Sequence, residues 1–265
     1  MKTAAIAAGA LFAANALAAP GTAARFANHA RRAEGRKSSL MIPAEDDGIV
    51  AQVNGTDKQV SYSTNWAGAV LIGTGYTAVT GTIVVPTPED NGSKGSASAW
   101  VGIDGDTCGT AILQTGVDFS ISKAGAVSFD AWYEWYPDYA YDFSGFSVSA
   151  GDEITMTVTA TSTKAGTAKL ENLTTGKSVT HSFSGESDTL CEYNAEWIVE
   201  DYESGGSLVA FADFDSVTFT DAAATKSGSS VGVSGASILD IKQSGTVLTD
   251  CSTSGTSKVV CDYVG

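Results

Sequence analysis

Two stretches decide the fold: Phe129–Phe143, FDAWYEWYPDYAYDF, and Asn194–Tyr202, NAEWIVEDY. In an extended strand alternate side chains share a face, so Asp130, Trp132, Glu134 and Tyr136 point one way and Ala131, Tyr133 and Trp135 the other. The second run places Glu196, Ile198, Glu200 and Tyr202 on one side and Ala195, Trp197 and Val199 on the opposite side. Acids set between aromatic rings on one face, with apolar residues behind them, read as strands of a sheet that has one wet face.

The pattern extends outward in both directions. Short runs rich in valine, threonine and aromatics, among them AGAVLIG from Ala67, TAVTGTIVVP from Thr77, EITMTVTAT from Glu153 and SILDIKQ from Ser237, are separated by glycine-containing turns. LENLTTGK, from Leu170 to Lys177, carries a turn signal between two alternating runs and predicts a hairpin. PTPEDNGSKGSAS, Pro86 to Ser98, reads as an uninterrupted surface loop, which favours a single mature chain. No convincing amphipathic helix follows Lys58. The expected fold class is all-β, a sandwich of two antiparallel sheets packed face to face, one of them curved into a cleft.

The N-terminus reads as an address. Met1–Lys2, the apolar run Ala4–Ala14 and the small-residue site Ala16-Leu17-Ala18 predict a signal peptide over 1–18 and a secreted, extracellular product. No later run has the length of a transmembrane helix, so no membrane partner is expected. Residues 19–58 are basic and alanine-rich, with the pair Arg31-Arg32, and read as a propeptide preceding a catalytic domain over 59–265. The mature chain is expected to begin between Gln52 and Asn65.

Charge divides the same way. The four arginines, Arg25, Arg31, Arg32 and Arg36, all precede the domain, whereas from Tyr62 onward eight lysines face 25 acids. Such a surface repels nucleic acid and anionic lipid and makes a monomer the default. It also suggests that the basic propeptide rests on the acidic domain near neutrality and lets go when acid protonates the carboxylates.

Elimination narrows the chemistry. The domain holds one histidine, His181, on an alternating strand without an acid-rich neighbourhood, which disfavours a histidine-dependent triad. Cys108, Cys191, Cys251 and Cys261 in a secreted chain suggest two disulfides rather than a zinc site. Three pairings are possible; Cys251 with Cys261 is the easiest local one and leaves Cys108 with Cys191. No metal or cofactor is expected. Sequons at Asn54, Asn91 and Asn172 permit glycosylation. Carboxylates and amides remain as the reactive groups.

A series of motifs in order, NWAGAVLIG, SAWVGIDGDTC, TAILQTG, FDAWYEWYP, LENLTTG and NAEWIVEDY, resembles the glutamic peptidases, or eqolisins, from about Ser63 to the C-terminus. The resemblance implies a concanavalin-like β-sandwich with a curved cleft and an acid endopeptidase acting on protein or peptide substrates. By motif position the catalytic pair becomes Gln114 and Glu200, with Trp100, Asp104, Asp130, Trp132 and Glu134 lining the cleft for substrate. Asp118 and Glu196 read as structural. The propeptide is the other expected partner. An alternative on the residues alone is a glycoside hydrolase or carbohydrate-binding module using Glu134, Glu200 and the tryptophans, since paired acids among rings also suit sugars.

Overall fold

The computed structural model describes residues 35–44, 52–53, 56–57, 60–89 and 92–265. The expected signal peptide, Arg31-Arg32, and the sequons at Asn54 and Asn91 lie outside the described residues.

Two large sheets face each other. One runs in the order Tyr141–Asp142, Val127–Tyr136, Ile112–Ile121, Gly95–Ile103, Asn194–Glu200, Trp66–Ile72, Ser237–Gln243, Thr246–Val247. The other runs Lys177–Ser184, Ala165–Asn172, Glu153–Ser162, Tyr76–Val84, Ser216–Lys226, Lys258–Tyr263, Thr249–Ser254. The expected all-β sandwich is the fold. Among the described strand pairs one departs from antiparallel, Val60–Ser63 beside Ser237–Gln243. Gly95–Ile103 also takes the last four residues of the stretch expected as a loop, because Ala97 and Ala99 face the core.

Alternation sorts the faces. Ala195, Trp197 and Val199 meet Ala97, Ala99, Val101, Leu113, Val117 and Phe119 in the main core between the sheets. A second, smaller apolar cluster sits on the outer face of the first sheet, built from Trp66, Val70, Trp100, Ile112, Trp132, Ala140, Ile198 and Leu239. Apolar burial on both faces of four central strands explains why their acids lie in a buried floor and not on a wet surface.

The disulfides are Cys108–Cys191 and Cys251–Cys261. The second joins residues directly opposed in a hairpin, and the first ties the turn after Gly95–Ile103 to the segment leading into Asn194–Glu200. The Asn172 sequon sits in the predicted hairpin turn, but Asn172 is 1% exposed and its Nδ2 donates to Asp152 Oδ2 at 2.8 Å. That nitrogen is the atom a glycan would occupy, so the fold argues against the glycan expected at Asn172.

Candidate active site

Strand register assembles the cleft floor in rows. Glu196, Gly102, Gln114 and Glu134 lie side by side across four strands; the next row is Ile198, Trp100, Gly116 and Trp132, and the third is Glu200, Ser98, Asp118 and Asp130. The glycines make room for an indole. A Cβ on Gly116 would come within 2.5 Å of Trp100 Cβ, and one on Gly102 within 2.8 Å of the Trp100 ring. Trp100 therefore lies flat enough in the floor for its Nε1 to donate to Glu200 Oε2 at 2.9 Å.

Glu200 is fully buried, and burial lifts its carboxyl to about 7, against hydrogen bonds from the Ser39 amide and Trp100 and the charge of Arg36. Glu134 is also buried and is pushed up to about 8, first by burial and then, against the pull of Arg36, by the charge of Glu200. Gln114 stands directly across from Glu134. Its side chain has no exposed surface, and neither Nε2 nor Oε1 has a hydrogen-bond partner among the described residues. A buried primary amide left unpaired costs roughly 1–3 kcal/mol, so this one calls for a polar partner.

The remaining expected residues divide. Trp132 and Asp130 belong to the cleft: Trp132 Nε1 donates to Ser98 Oγ at 3.1 Å, and Asp130 lines a cavity of about 360 Å³ with Asp118, Asp142 and Tyr202. Trp100 is in the floor, acting on Glu200 rather than as an open wall. Asp104 is not at the cleft surface. It holds a left-handed backbone conformation, φ 71°, and its carboxylate accepts the amides of Cys191, Glu192, Tyr193 and Asn194 at 2.7–3.2 Å. With four donors on two oxygens it has nothing left for substrate, and it fixes the start of the strand that carries Glu200. The substrate-binding expectation for Asp104 is corrected on that ground.

Asp118, expected to be structural, is in the cleft instead. It forms a two-point ion pair with Arg36, from Nε to Oδ2 and from Nη2 to Oδ1 at 2.7 Å. Its spacing from Gln114, four residues along one strand, was signal enough to place both on one face. Glu196 is buried, neither carboxyl oxygen has a hydrogen-bond partner among the described residues, and burial, then Asp104 and Asp106, raises it well above the ordinary range. Ser98 and Tyr202 also shape the site; Ser98 carries no chemical signature, and Tyr202 follows Glu200 in the same alternation. Residues 36–44, placed by sequence in the propeptide, lie along this cleft, with the amide of Ser39 on Glu200 Oε1 at 3.0 Å.

Residues 64–263 match the Peptidase A4 family. Over 98% of its length the chain is 56% identical to aspergillopepsin-2 of Aspergillus niger, covering 99% of that protein. It is 47% identical to scytalidopepsin B of Scytalidium lignicola, with 94% of each covered. Among solved structures it is similar to scytalido-glutamic peptidase with a transition state analog inhibitor, at TM-score 0.70 and 49% identity over 76% of this chain and 98% of that one. Aspergilloglutamic peptidase from Aspergillus niger aligns at TM-score 0.62 and 65% identity over 64% of this chain and 99% of that one. These likenesses set the carbohydrate alternative aside: the chain belongs to the Peptidase A4 family, is a glutamic peptidase, and is a hydrolase of peptide bonds.

Proposed function

We propose that this chain is a secreted acid endopeptidase, made with a leader and a propeptide, in which Glu200 and Gln114 activate water against a peptide carbonyl. Ionised Glu200 takes a proton from water as the oxygen attacks, and later returns it to the leaving amine as the C–N bond breaks. The Gln114 amide donates to the oxyanion of the tetrahedral intermediate, inside a floor where low polarity strengthens the contact. The observation that carries this reading is the buried, unpaired amide of Gln114 on the same cleft floor as a buried carboxylate. Glu134, opposite Gln114, and Trp132 hold the substrate backbone and its side chains. Extracellular location rests on the N-terminal leader and on the likeness to fungal peptidases.

The test is hydrolysis of an unfolded protein from acidic to neutral pH. The value of about 7 belongs to a Glu200 covered by residues 36–44, so the enzyme freed of that segment is the one that should cleave in acid; in it Glu200→Gln should lose about 1,000-fold or more in kcat, and Gln114→Ala about 100-fold to 1,000-fold. Substantial activity in Glu200→Gln at any pH removes Glu200 from the role of base.

A further inference from the structure

We infer that the open edge of the first sheet at residues 127–130, with the apolar cavity beside it, is an exosite that takes a distal, extended segment of the polypeptide substrate by strand addition. The inference rests on the reading of the chain as an endopeptidase that acts on long polypeptides.

Val127–Tyr136 is the last long strand of that sheet, but Tyr141–Asp142 covers only its far end, opposite Tyr133 and Trp132. One further bond, from the Phe143 amide to Ala131 O at 2.8 Å, closes the pairing. The chain then turns away through Ser144 and Gly145, the glycine in the left-handed region at φ 76°. Among the described residues no strand lies beyond residues 127–130 on that side. Backbone groups of successive residues point alternately to the two neighbours of a strand. Since Ala131 O points outward, the N–H and C=O groups of Val127 and Phe129 point outward too. An edge of this kind is a template for an added strand.

Beside the edge lies a cavity of about 340 Å³ walled by Phe129, Ala131, Phe143, Phe146 and Val148. Its volume is at the small end of ligand pockets and has room for a large apolar side chain. The walls are fixed from behind. Ala131 and Phe143 belong to the main core, and Phe129, Phe146 and Val148 pack against it. Phe143 is braced by the Tyr133 ring, with centroids 4.7 Å apart, and Tyr133 is itself stacked on His181 at 3.9 Å. Outward backbone groups beside a preformed apolar cavity are the two features that strand addition uses, the backbone for affinity and the pocket for side-chain choice.

Continuity with the cleft identifies the occupant. Asp130 and Asp142 line this cavity and also line the cleft cavity that holds Asp118 and Tyr202. The two cavities meet at that shared wall, so a chain leaving the cleft past Asp142 arrives at the open edge. A substrate long enough to cross the wall is already extended in the cleft, and strand addition then costs little further ordering. The two carboxylates disfavour an acidic segment there, and the cavity favours an apolar side chain at alternate positions. A peptide short enough to end inside the cleft gains nothing from the edge.

The test uses the enzyme freed of residues 36–44 and a short peptide substrate. The peptide is extended at its N-terminal or its C-terminal end by about six residues, the length of an average strand, either alternating leucine and threonine or a Ser-Gly repeat. One of the two leucine–threonine extensions should raise kcat/KM about tenfold, and the Ser-Gly repeat much less. Val127→Pro removes an outward N–H at the first residue of an edge strand, a place where proline is tolerated, and should lose most of that gain. N-methylation of alternate amides in the extension, in one of the two possible phases, should do the same while leaving the enzyme untouched. No gain from either extension, an equal gain from the Ser-Gly repeat, or a gain that survives N-methylation in both phases overturns the inference. Binding of the labelled peptides to Glu200→Gln, read by fluorescence anisotropy, separates this site from the reaction. Tighter binding of the extended peptide with no hydrolysis by the parent would leave the exosite standing and overturn the proposed activity; hydrolysis with no gain from extension would do the reverse.

Discussion

Trp100 and Glu200, a hundred residues apart in sequence, are joined by a hydrogen bond of 2.9 Å from the indole Nε1 to the carboxylate Oε2. The indole has no exposed surface and packs edge-on against Trp66 with ring centroids 4.9 Å apart, so the donor cannot swing away. It aims one oxygen of Glu200; the other, on the Ser39 amide here, is the one that takes a proton from water in the proposed mechanism. An indole donor favours the ionised form of the acid, opposing the burial that disfavours it.

Trp100→Phe keeps most of the packing and removes the donor. The Glu200 pKa should then rise, so less of the base is ionised in acid and the acid limb of the kcat profile moves to higher pH. A hydrogen bond to a charged group is worth about 1.5–3 kcal/mol, which sets the shift at roughly one pH unit or somewhat more. A pH–rate profile of the variant against the parent measures it; superimposable limbs would show that Trp100 only fills space.

Asp104 offers a contrast, because its four amide contacts make it a strand anchor and not a substrate ligand. Asp104→Ala leaves four backbone amides, that of Asn194 buried, short of an acceptor and should lower stability by about 3 kcal/mol, while Asp104→Asn, which tolerates the left-handed conformation and retains one acceptor, should lose less. Thermal melting gives that order. Where the variants fold, KM should stay near the parent value, and a large rise in KM with stability unchanged would restore Asp104 to the substrate site.

Much of this was legible in the residues. Alternation in FDAWYEWY and NAEWIVEDY placed Glu134 and Glu200 on one face and the core residues on the other, as the strands have them. Motif order pointed to Gln114. What alternation does not carry is which strands become neighbours, and so it missed that Asp118 faces the same cavity as Asp130 and Tyr202. Nor does it tell a wet acid from a buried one: that depends on the outer cluster of tryptophans and on residues 36–44 covering the floor. Asp104 misled for a related reason, since a carboxylate in a motif looks alike whether it meets a substrate or four backbone amides.

Burial of carboxyls sets the pH dependence of the fold. Glu134, Glu196, Glu200 and Asp201 all have raised pKa values, with burial as the leading cause, and Asp201 reaches about 7 despite the amide of Gln243. In the unfolded chain these carboxyls titrate near their ordinary values, so between about pH 4.5 and pH 8 the native state holds more protons than the unfolded one. Unfolding free energy must then fall as pH rises through that window, and melting temperature should be higher near pH 5 than near pH 8. Each group contributes up to about 1.4 kcal/mol per pH unit between its two values. Glu196 isolates the effect, since neither of its oxygens has a hydrogen-bond partner among the described residues and it has no part in the proposed reaction. Glu196→Gln removes a buried titrating group while keeping its shape, and should flatten the pH dependence and raise the melting temperature at neutral pH. A variant whose melting curve tracks the parent at every pH would mean that Glu196 titrates alike in the folded and unfolded chains.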